Sequence, residues 1–255
     1  MVDRMNDKIS FIIASYNDET IDQTIASITK QIHALDEIIV MDGKSTDNTV
    51  QRAKGALKDV SNSMVFSEHD TGIYNAWNKA IAQASGSWLV FLGCGDLLTD
   101  QYRKEVSDVI NKQENINFIH HKTQFYTRKK TTILKGRVFG RRLDKVEFAR
   151  RMRVCHVGAL HHKSLFYDFK FSTLYQCVSD YHFLLRHLVT LRPHYIDKIL
   201  VDMESGGISS HTIFPYAEER RMKRQLGGYN NITLSLGFFS SVVKAILFRL
   251  YDSIR

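Results

Sequence analysis

The sequence predicts an α/β fold built on a doubly wound, mostly parallel sheet. Two patterns carry this expectation. Over the first ~120 residues, short β-branched and aromatic runs alternate with segments of helical apolar spacing, the signature of strand–helix–strand units in a parallel sheet. Polar loops then follow each apolar run, at the strand ends where open α/β sheets bind ligands.

The elements can be justified in order. Ile9–Ala14 (ISFIIA) reads as a strand buried on both faces, as parallel sheets require. Glu19 to Ile32 carries Ile21, Ile25, Ile28 and Ile32 at helical spacing. Glu37–Met41 (EIIVM) is a second strand, followed by the turn Asp42-Gly43-Lys44-Ser45-Thr46-Asp47, in which Ser45 or Thr46 can cap the next helix. Met64–Ser67 is a shorter strand. Ile73 to Ala84 is a helix with Ile73, Ala76, Trp77, Ala80, Ile81 and Ala84 on one face, and Trp88–Leu92 (WLVFL) is the fourth strand.

Four loops fall on one rim: Ser15-Tyr16-Asn17-Asp18, Asp42-Gly43, Glu68-His69-Asp70 and Cys94-Gly95-Asp96. Their convergence implies a site. Beyond ~Gln113 the pattern weakens. Asn117–His121 and Thr131–Leu134 read as strands flanking a basic loop, Cys155–His162 as a strand, Asp180 to Leu191 as a helix, Tyr195–Met203 as a strand and Gly206-Gly207 as a turn. The charged, apolar-poor segment 122–153 is expected to be the mobile part.

Composition narrows the classes. The chain has 255 residues, 35 Lys or Arg against 27 Asp or Glu, 44% hydrophobic and 24% charged residues. These values exclude a disordered chain, a collagen and a disulfide scaffold. Pro193 and Pro215 are the only prolines, so no Pro-rich linker divides the chain. Cys94, Cys155 and Cys177 form no C-x-x-C pair and suit a reducing compartment. The start MVDRMNDKISF has no signal-peptide apolar core and no run of ~20 apolar residues occurs, which places the expected protein in the cytoplasm.

Charge is uneven. Between Lys122 and Lys163 thirteen Lys or Arg face only Asp144 and Glu147, while the rest of the chain is slightly acidic. Such a block attracts phosphate-rich partners, unless it is simply a solvated face. Leu234 to Tyr251 carries apolar side chains around most of a helix, with a polar stripe at Ser240, Ser241 and Lys244 and Arg249 near the end. That pattern suits a helix lying in a bilayer interface, or one docked on the domain or on a second subunit.

Among the acids, Asp96 follows a buried strand in the small-residue turn Gly93-Cys94-Gly95 and can hold Mg²⁺ or Mn²⁺ with water and substrate phosphates completing the shell. Asp42 ends the second strand, where it can accept hydrogen bonds from a base or ribose, or merely cap its loop. Asp180 begins a helix, as an N-cap or as a general base for an attacking hydroxyl. The adjacent histidine pairs, His120-His121 and His161-His162, have no zinc-ligand spacing. No P-loop, Gly-x-Gly-x-x-Gly or Gly-x-Ser-x-Gly motif occurs.

Taken in order, Ser10–Asn17 (SFIIASYN), Ile38–Thr49 (IIVMDGKSTDNT), Ser67–Lys79 (SEHDTGIYNAWNK), Trp88–Asp96 (WLVFLGCGD), Cys155–Phe166, Ser179–Arg186 (SDYHFLLR) and Gly206-Gly207-Ile208-Ser209 resemble the inverting glycosyltransferases of family 2. The chain is most similar to bacterial exopolysaccharide and O-antigen enzymes of the colanic-acid type. The resemblance spans residues ~9 to ~210 and implies a GT-A fold. Residues 1–228 would form the transferase domain, with a donor half (1–115) and an acceptor half (116–228), and residues 229–255 an amphipathic helix at the inner membrane face.

By the same resemblance, Ser15, Tyr16 and Asn17 line the donor nucleotide, and Asp42 and Gly43 contact its base or ribose. Asp70, Gly72, Ile73, Tyr74, Asn75, Asn78 and Lys79 frame the donor sugar and diphosphate, and Gly95 joins the donor set. Asp96 ligates Mn²⁺ or Mg²⁺, Asp180 is the catalytic base and His156 lies near the acceptor or diphosphate. The implied reaction moves a sugar from a nucleotide-sugar donor, UDP-linked by resemblance, to a polyprenyl-diphosphate-linked glycan in surface polysaccharide synthesis. A homodimer is compatible with it.

Three departures stand out. Cys94-Gly95-Asp96 replaces the usual Asp-Asp or Asp-x-Asp, Asn75 stands where Asp is common, and Val157 stands where Gln is common. A catalytically silent nucleotide-binding module is the alternative that the reduced acidic motif admits. A nucleic-acid-binding role is disfavoured, because aromatics are not interleaved with the basic run as stacking platforms require.

Overall fold

The computed structural model describes residues 7–129, 132–205 and 214–230. Strands β1 (Ile9–Ser15), β2 (Glu37–Asp42), β3 (Ser63–Ser67) and β4 (Trp88–Gly93) alternate with helices α1 (Ile21–Thr29), α2 (Thr49–Ala56) and α3 (Ile73–Gln83). The short β5 (Leu97–Leu98) and α4 (Tyr102–Lys112) lead into a long hairpin, β6 (Phe118–Lys129) and β7 (Thr132–Phe139). Then come α5 (Lys145–Arg150), β8 (Leu160–His162), α6 (Ser179–Arg186), β9 (Pro193–Glu204) and α7 (Phe214–Leu226).

The sheet order is β3-β2-β1-β4-β8-β6-β9-β5, with β7 paired to β6. β1 to β4 run parallel, so their carboxyl ends share one rim, with Ser15 opposite Asp42 and Asp42 opposite Ser67. β8 is antiparallel to both β4 and β6, and β9 is parallel to β6.

The apolar strand runs are explained by burial on both faces. Ile12, Ala14, Ile39, Met41, Leu89 and Phe91 pack toward α3 and α6, while Phe11, Ile13, Ile38, Val40, Val90 and Leu92 pack toward α1 and α4. Alternate side chains point to opposite faces, so a strand buried on both sides must be apolar throughout. Beneath the parallel strands, Arg103 and Asp36 form a fully buried pair, with Nε 2.8 Å from the carboxylate. Asp36 also accepts the Ile9 N–H and ties the start of β1 to α4.

Several expectations need correction. The segment expected as a basic loop between two short strands is largely strand, because β6 runs on from Phe118 to Lys129 and pairs with β7 on one side and β9 on the other. Its basic residues are partly engaged locally: Lys122 pairs with Asp197, Lys135 with Asp202, and both Arg141 and Arg153 with Glu147. Of the expected strand Cys155–His162 only Leu160–His162 is extended; the chain turns before it at Gly158, whose φ of 73° favours glycine. The helix expected to Leu191 ends at Arg186.

Neither Ser45 nor Thr46 caps α2. Asn48 occupies the cap position, and the Ser45 hydroxyl is spent on Asp42. Gly206-Gly207-Ile208-Ser209 and the amphipathic stretch Leu234–Tyr251 lie outside the described residues. Among the described residues no helix is long and apolar enough to cross a membrane.

Candidate active site

The rim of the parallel strands gathers the residues expected to face a donor. Asp42 is 0% exposed. Its Oδ1 accepts the Ser15 hydroxyl at 3.2 Å and the Ser45 hydroxyl, and its Oδ2 accepts the Ser45 N–H at 2.9 Å and the Ser67 hydroxyl at 2.7 Å. Asp42 therefore fastens three strand-end loops together. This differs from the expectation that it faces a base or ribose: a carboxylate at a strand end satisfies neighbouring hydroxyls when the side chain turns inward.

The open edge is made by its neighbours. Tyr16 is 65% exposed. A Cβ on Gly43 would lie 2.8 Å from Asp70 Oδ2 and 3.3 Å from the Tyr16 ring, so the bare glycine lets these two side chains lie close over the loop. Asn17, at φ 46°, accepts the Thr46 N–H at 2.8 Å while its own N–H donates to the Ser45 hydroxyl.

The loop entering α3 is built around Asp70. Its Oδ1 accepts the N–H of Gly72, the residue that precedes the helix at φ 120°. Lys79 reaches back to the His69 carbonyl at 2.6 Å and the Glu68 carboxylate at 3.0 Å. Asn75 accepts the Thr71 N–H, and Ile73 packs on the core. Asn78 exchanges two hydrogen bonds with the backbone of Phe171. Lys79, Asn75 and Asn78 thus hold the frame by their own contacts.

Tyr74 links the two halves. From the first turn of α3 its hydroxyl donates to Asp180 Oδ1 at 3.1 Å. Asp180 is the second residue of α6 and not its N-cap, a position held by Val178. The Tyr181 N–H donates to the same oxygen at 2.8 Å. Burial pushes the Asp180 carboxyl up to about 6 and the Glu218 charge adds to the rise, while the Tyr181 and Tyr74 hydrogen bonds pull it down. Burial and the Asp180 charge raise the Tyr74 hydroxyl well above its ordinary value, so it remains a donor.

Asp96 is almost fully buried in the turn after β4, and its Oδ2 accepts the Gly93 N–H at 2.8 Å. The turn is held by Gly95 N–H to the Thr24 hydroxyl at 3.0 Å and by the Tyr126 hydroxyl to the Gly95 carbonyl at 2.6 Å. Gly95 has φ 84°, and a Cβ there would fall on the Glu204 carboxylate. Burial lifts the Asp96 carboxyl to about 7, with the charges of Glu204 and Asp18 adding, against hydrogen bonds from the Gly93 and Glu204 backbone.

Asp96 and Asp180 are 84 residues apart in sequence, yet both lie close enough to Cys155 to help burial raise its thiol to about 11. The three cysteines are free. Cys94 sits among Asp18, Asp96, Asp42 and Asp47, which with burial push its thiol up.

His156 is placed differently from the expectation. It is 4% exposed, stacked on Trp77 at 5.2 Å and Phe91 at 5.5 Å, with His161 at 4.7 Å. Neither ring nitrogen has a hydrogen-bond partner among the described residues, and burial, with His161 adding, holds it neutral. It packs as a core ring against α3 and β4.

The family assignment follows from the comparison of this arrangement with known proteins. Residues 10–169, which carry the rim, Tyr74 and Asp96, match the model of glycosyl transferase family 2. The chain belongs to this family. A PGL/p-HBAD biosynthesis glycosyltransferase of Mycobacterium bovis is 27% identical over 192 residues, 72% of each chain. The UDP-Glc:alpha-D-GlcNAc-diphosphoundecaprenol beta-1,3-glucosyltransferase WfgD of Escherichia coli is 27% identical over 156 residues, 60% of this chain and 58% of its own.

In structure, S. aureus TarS 1–349 in complex with UDP-GlcNAc superposes with TM-score 0.69 at 17% identity, covering 91% of this chain and 70% of that one. This chain spans 41% of the longer TarS chain. Glucosyl-3-phosphoglycerate synthase from Mycobacterium tuberculosis, solved with Mn²⁺, UDP and phosphoglyceric acid, gives TM-score 0.62 at 15% identity over 88% of this chain and 80% of its own. The fold is GT-A, as the family resemblance implied.

Within this family 2 chain, the residues fit a hard cation of one kind. No group of three or more His, Cys, Asp or Glu able to hold a metal occurs among the described residues. Asp96 nevertheless offers a carboxylate fixed on one oxygen by Gly93, with the Glu204 carboxylate beside it. Such a donor set suits a cation taken up together with substrate phosphates, as Mg²⁺ commonly is, better than an all-protein cage.

Asp18 stands in a rim loop that the sequence singles out, whereas Glu204 and Glu218 were missed in the sequence. Glu204 was signalled only by its place before Gly206-Gly207, and Glu218 by nothing, since the buried face of α7 holds two charged residues beside Met222. A hollow of about 440 Å³ on the outer face of α7, lined by Ala217, Arg220, Arg221, Arg224 and Gln225, contains none of the expected site residues.

Tyr74→Phe is expected to shift the acidic limb of the pH–rate profile upward by about one pH unit. A hydrogen bond to a charged group contributes about 1.5–3 kcal/mol, and the lost bond favours the ionised carboxylate. Initial rates between pH 5 and 8 check it; an unmoved limb separates the Tyr74–Asp180 contact from the group that sets that limb.

Proposed function

We propose that this family 2 chain is an inverting, divalent-metal-dependent glycosyltransferase. It would take its sugar from a nucleotide-sugar donor, UDP-linked by analogy with the UDP-Glc-dependent WfgD and the UDP-GlcNAc complex of TarS. The acceptor would be a hydroxyl of a lipid-diphosphate-linked glycan, the class that WfgD's name states.

The observation that carries the reading is the Tyr74–Asp180 hydrogen bond. It fixes a carboxylate of α6 against the first turn of α3, the helix that would frame the donor. Tyr16, Gly43 and Asp70 would seat the nucleotide and diphosphate edge, and Asp96 would hold the cation. Mg²⁺ or Mn²⁺ bound there would supply charge stabilisation for the departing diphosphate.

Asp180 would take the proton of the acceptor hydroxyl as that oxygen attacks the anomeric carbon from the face opposite the diphosphate. The C–O bond to the diphosphate breaks as the new C–O bond forms, which inverts the centre and leaves no sugar on the enzyme. A carboxyl lifted to about 6 is ionised at neutral pH and still basic enough to accept a proton.

The test is product stereochemistry. Nucleoside diphosphate release is followed with a panel of nucleotide sugars, Mn²⁺ or Mg²⁺, and a synthetic polyprenyl-diphosphate-linked acceptor. The product's anomeric configuration is then read by NMR. Inversion with metal-dependent release is the expected result. Retention, or release equal in chelator, overturns the mechanism.

A further inference from the structure

Helix α7 carries no part of the motifs that brought the donor rim together, and it is polar along most of its length. One face is nevertheless buried, and the buried residues include a carboxylate, Glu218. Its Oε1 accepts the Gln176 N–H at 2.8 Å and its Oε2 accepts the Cys177 N–H at 2.7 Å. Both oxygens of one buried side chain are thus spent on two consecutive backbone amides.

The segment they grip runs directly into α6. The same helix face adds two more ties, since Arg221 donates to the Leu174 carbonyl at 2.7 Å and Gln225 accepts the Tyr175 hydroxyl at 2.5 Å. Arg221 also lies 3.7 Å from Glu218. Every residue from Leu174 to Cys177 is therefore bound by a side chain of α7, and Asp180 follows three positions later.

A carboxylate is costly to bury unless charge-assisted hydrogen bonds compensate it. Gripping backbone N–H groups fixes the path of the chain whatever side chains the loop carries. The oxygen of Asp180 that meets Tyr74 is held at hydrogen-bond distance, so a small rotation of the first turn of α6 breaks that contact.

Resting on the reading of Asp180 as the base, we propose that Glu218 is a positioning residue. Through the amides of Gln176 and Cys177 it sets the first turn of α6, and with it the aim of the Asp180 carboxylate at the acceptor hydroxyl. Glu218 touches neither substrate in this account and acts only through the loop.

The groups that face Asp180 define what a variant should change. They are Tyr74 from α3, Cys155 from the turn before β8, Cys177 from the loop and Glu218 from α7. Of these Glu218 alone is a second carboxylate, and its charge helps keep Asp180 protonated to higher pH. Glu218→Gln keeps the shape and one acceptor oxygen and removes that charge.

The experiment compares Glu218→Gln, Asp180→Asn and the unaltered chain in the nucleoside-diphosphate release assay, with thermal melts and UDP titration alongside. Glu218→Gln is expected to lower kcat about tenfold, leave the KM for nucleotide sugar and UDP binding within twofold, and move the acidic limb of kcat to lower pH, opposite to Tyr74→Phe. Unchanged kcat and limb in Glu218→Gln with an inactive Asp180→Asn overturns the role of Glu218 and leaves the base in place. Full activity in Asp180→Asn overturns the base itself.

Loss of donor binding together with kcat in Glu218→Gln marks a plain structural fastener and also overturns the proposal. If that variant does not fold, Arg221→Ala frees the Leu174 carbonyl from an exposed side chain. Its kcat should fall severalfold at constant donor KM, and unchanged kcat overturns the proposal.

Discussion

Asp180→Asn is expected to lower kcat by about 10²–10⁴-fold, the range a positioned general base contributes, while making the protein more resistant to heat at neutral pH. The two effects share one cause. The native carboxyl sits near 6 against an ordinary value of 3.8, so at pH 7.5 the folded chain holds an ionised group that burial disfavours. A folded-state value above the unfolded one means that this group's stabilisation is fully present below about pH 3.8 and is lost as pH rises through about 6.

At pH 7.5 the difference is of the order of 2–3 kcal/mol, at 1.36 kcal/mol per unit. Asparagine keeps an oxygen for Tyr74 and Tyr181 and carries no charge. Its melting temperature should exceed that of the unaltered chain by several degrees at pH 7.5, and the gap should close by about pH 4. Circular dichroism melts at both pH values check this, and an Asn variant that is less stable at pH 7.5 contradicts the account of the site.

The second large effect is expected from Asp96→Asn. It keeps an acceptor for the Gly93 N–H but removes the charge a cation needs. Mn²⁺ with UDP should stabilise the unaltered chain by about 2.7 kcal/mol when both are near one hundred times their dissociation constants. The Asn variant should show little of that shift, and its kcat/KM should fall at least 10³-fold, because the leaving diphosphate would lose the cation proposed at Asp96. A full Mn²⁺–UDP shift in Asp96→Asn places the cation elsewhere.

Different parts of the chain were legible to different degrees, and the reasons are physical. β1, β2 and β4 were plain because two-sided burial demands unbroken apolar runs, and α3 because its apolar face is regular. β6 was read as a loop beyond His121 because Lys122, Gln124, Arg128 and Lys129 look solvated, although Thr123 and Tyr126 between them are buried. Helix α7 was invisible because its buried face holds Glu218, Met222 and Lys223, which give no hydrophobic period.

At the site, sequence order correctly placed the polar loops on one rim, but not the direction of each side chain. Asp42 turned inward to three serines, and His156 into the aromatic core. The juxtaposition of Tyr74 with Asp180 joins residues 106 apart, and no local pattern encodes such a contact.

The closeness of Asp70 and Tyr16 over Gly43 has a practical consequence for changing the nucleotide that the proposed donor edge accepts. A side chain at position 43 would meet the Asp70 carboxylate and the Tyr16 ring, so both would have to swing off the loop. Diversity is better spent on Tyr16, whose ring already projects into solvent and can be exchanged without disturbing the floor beneath it.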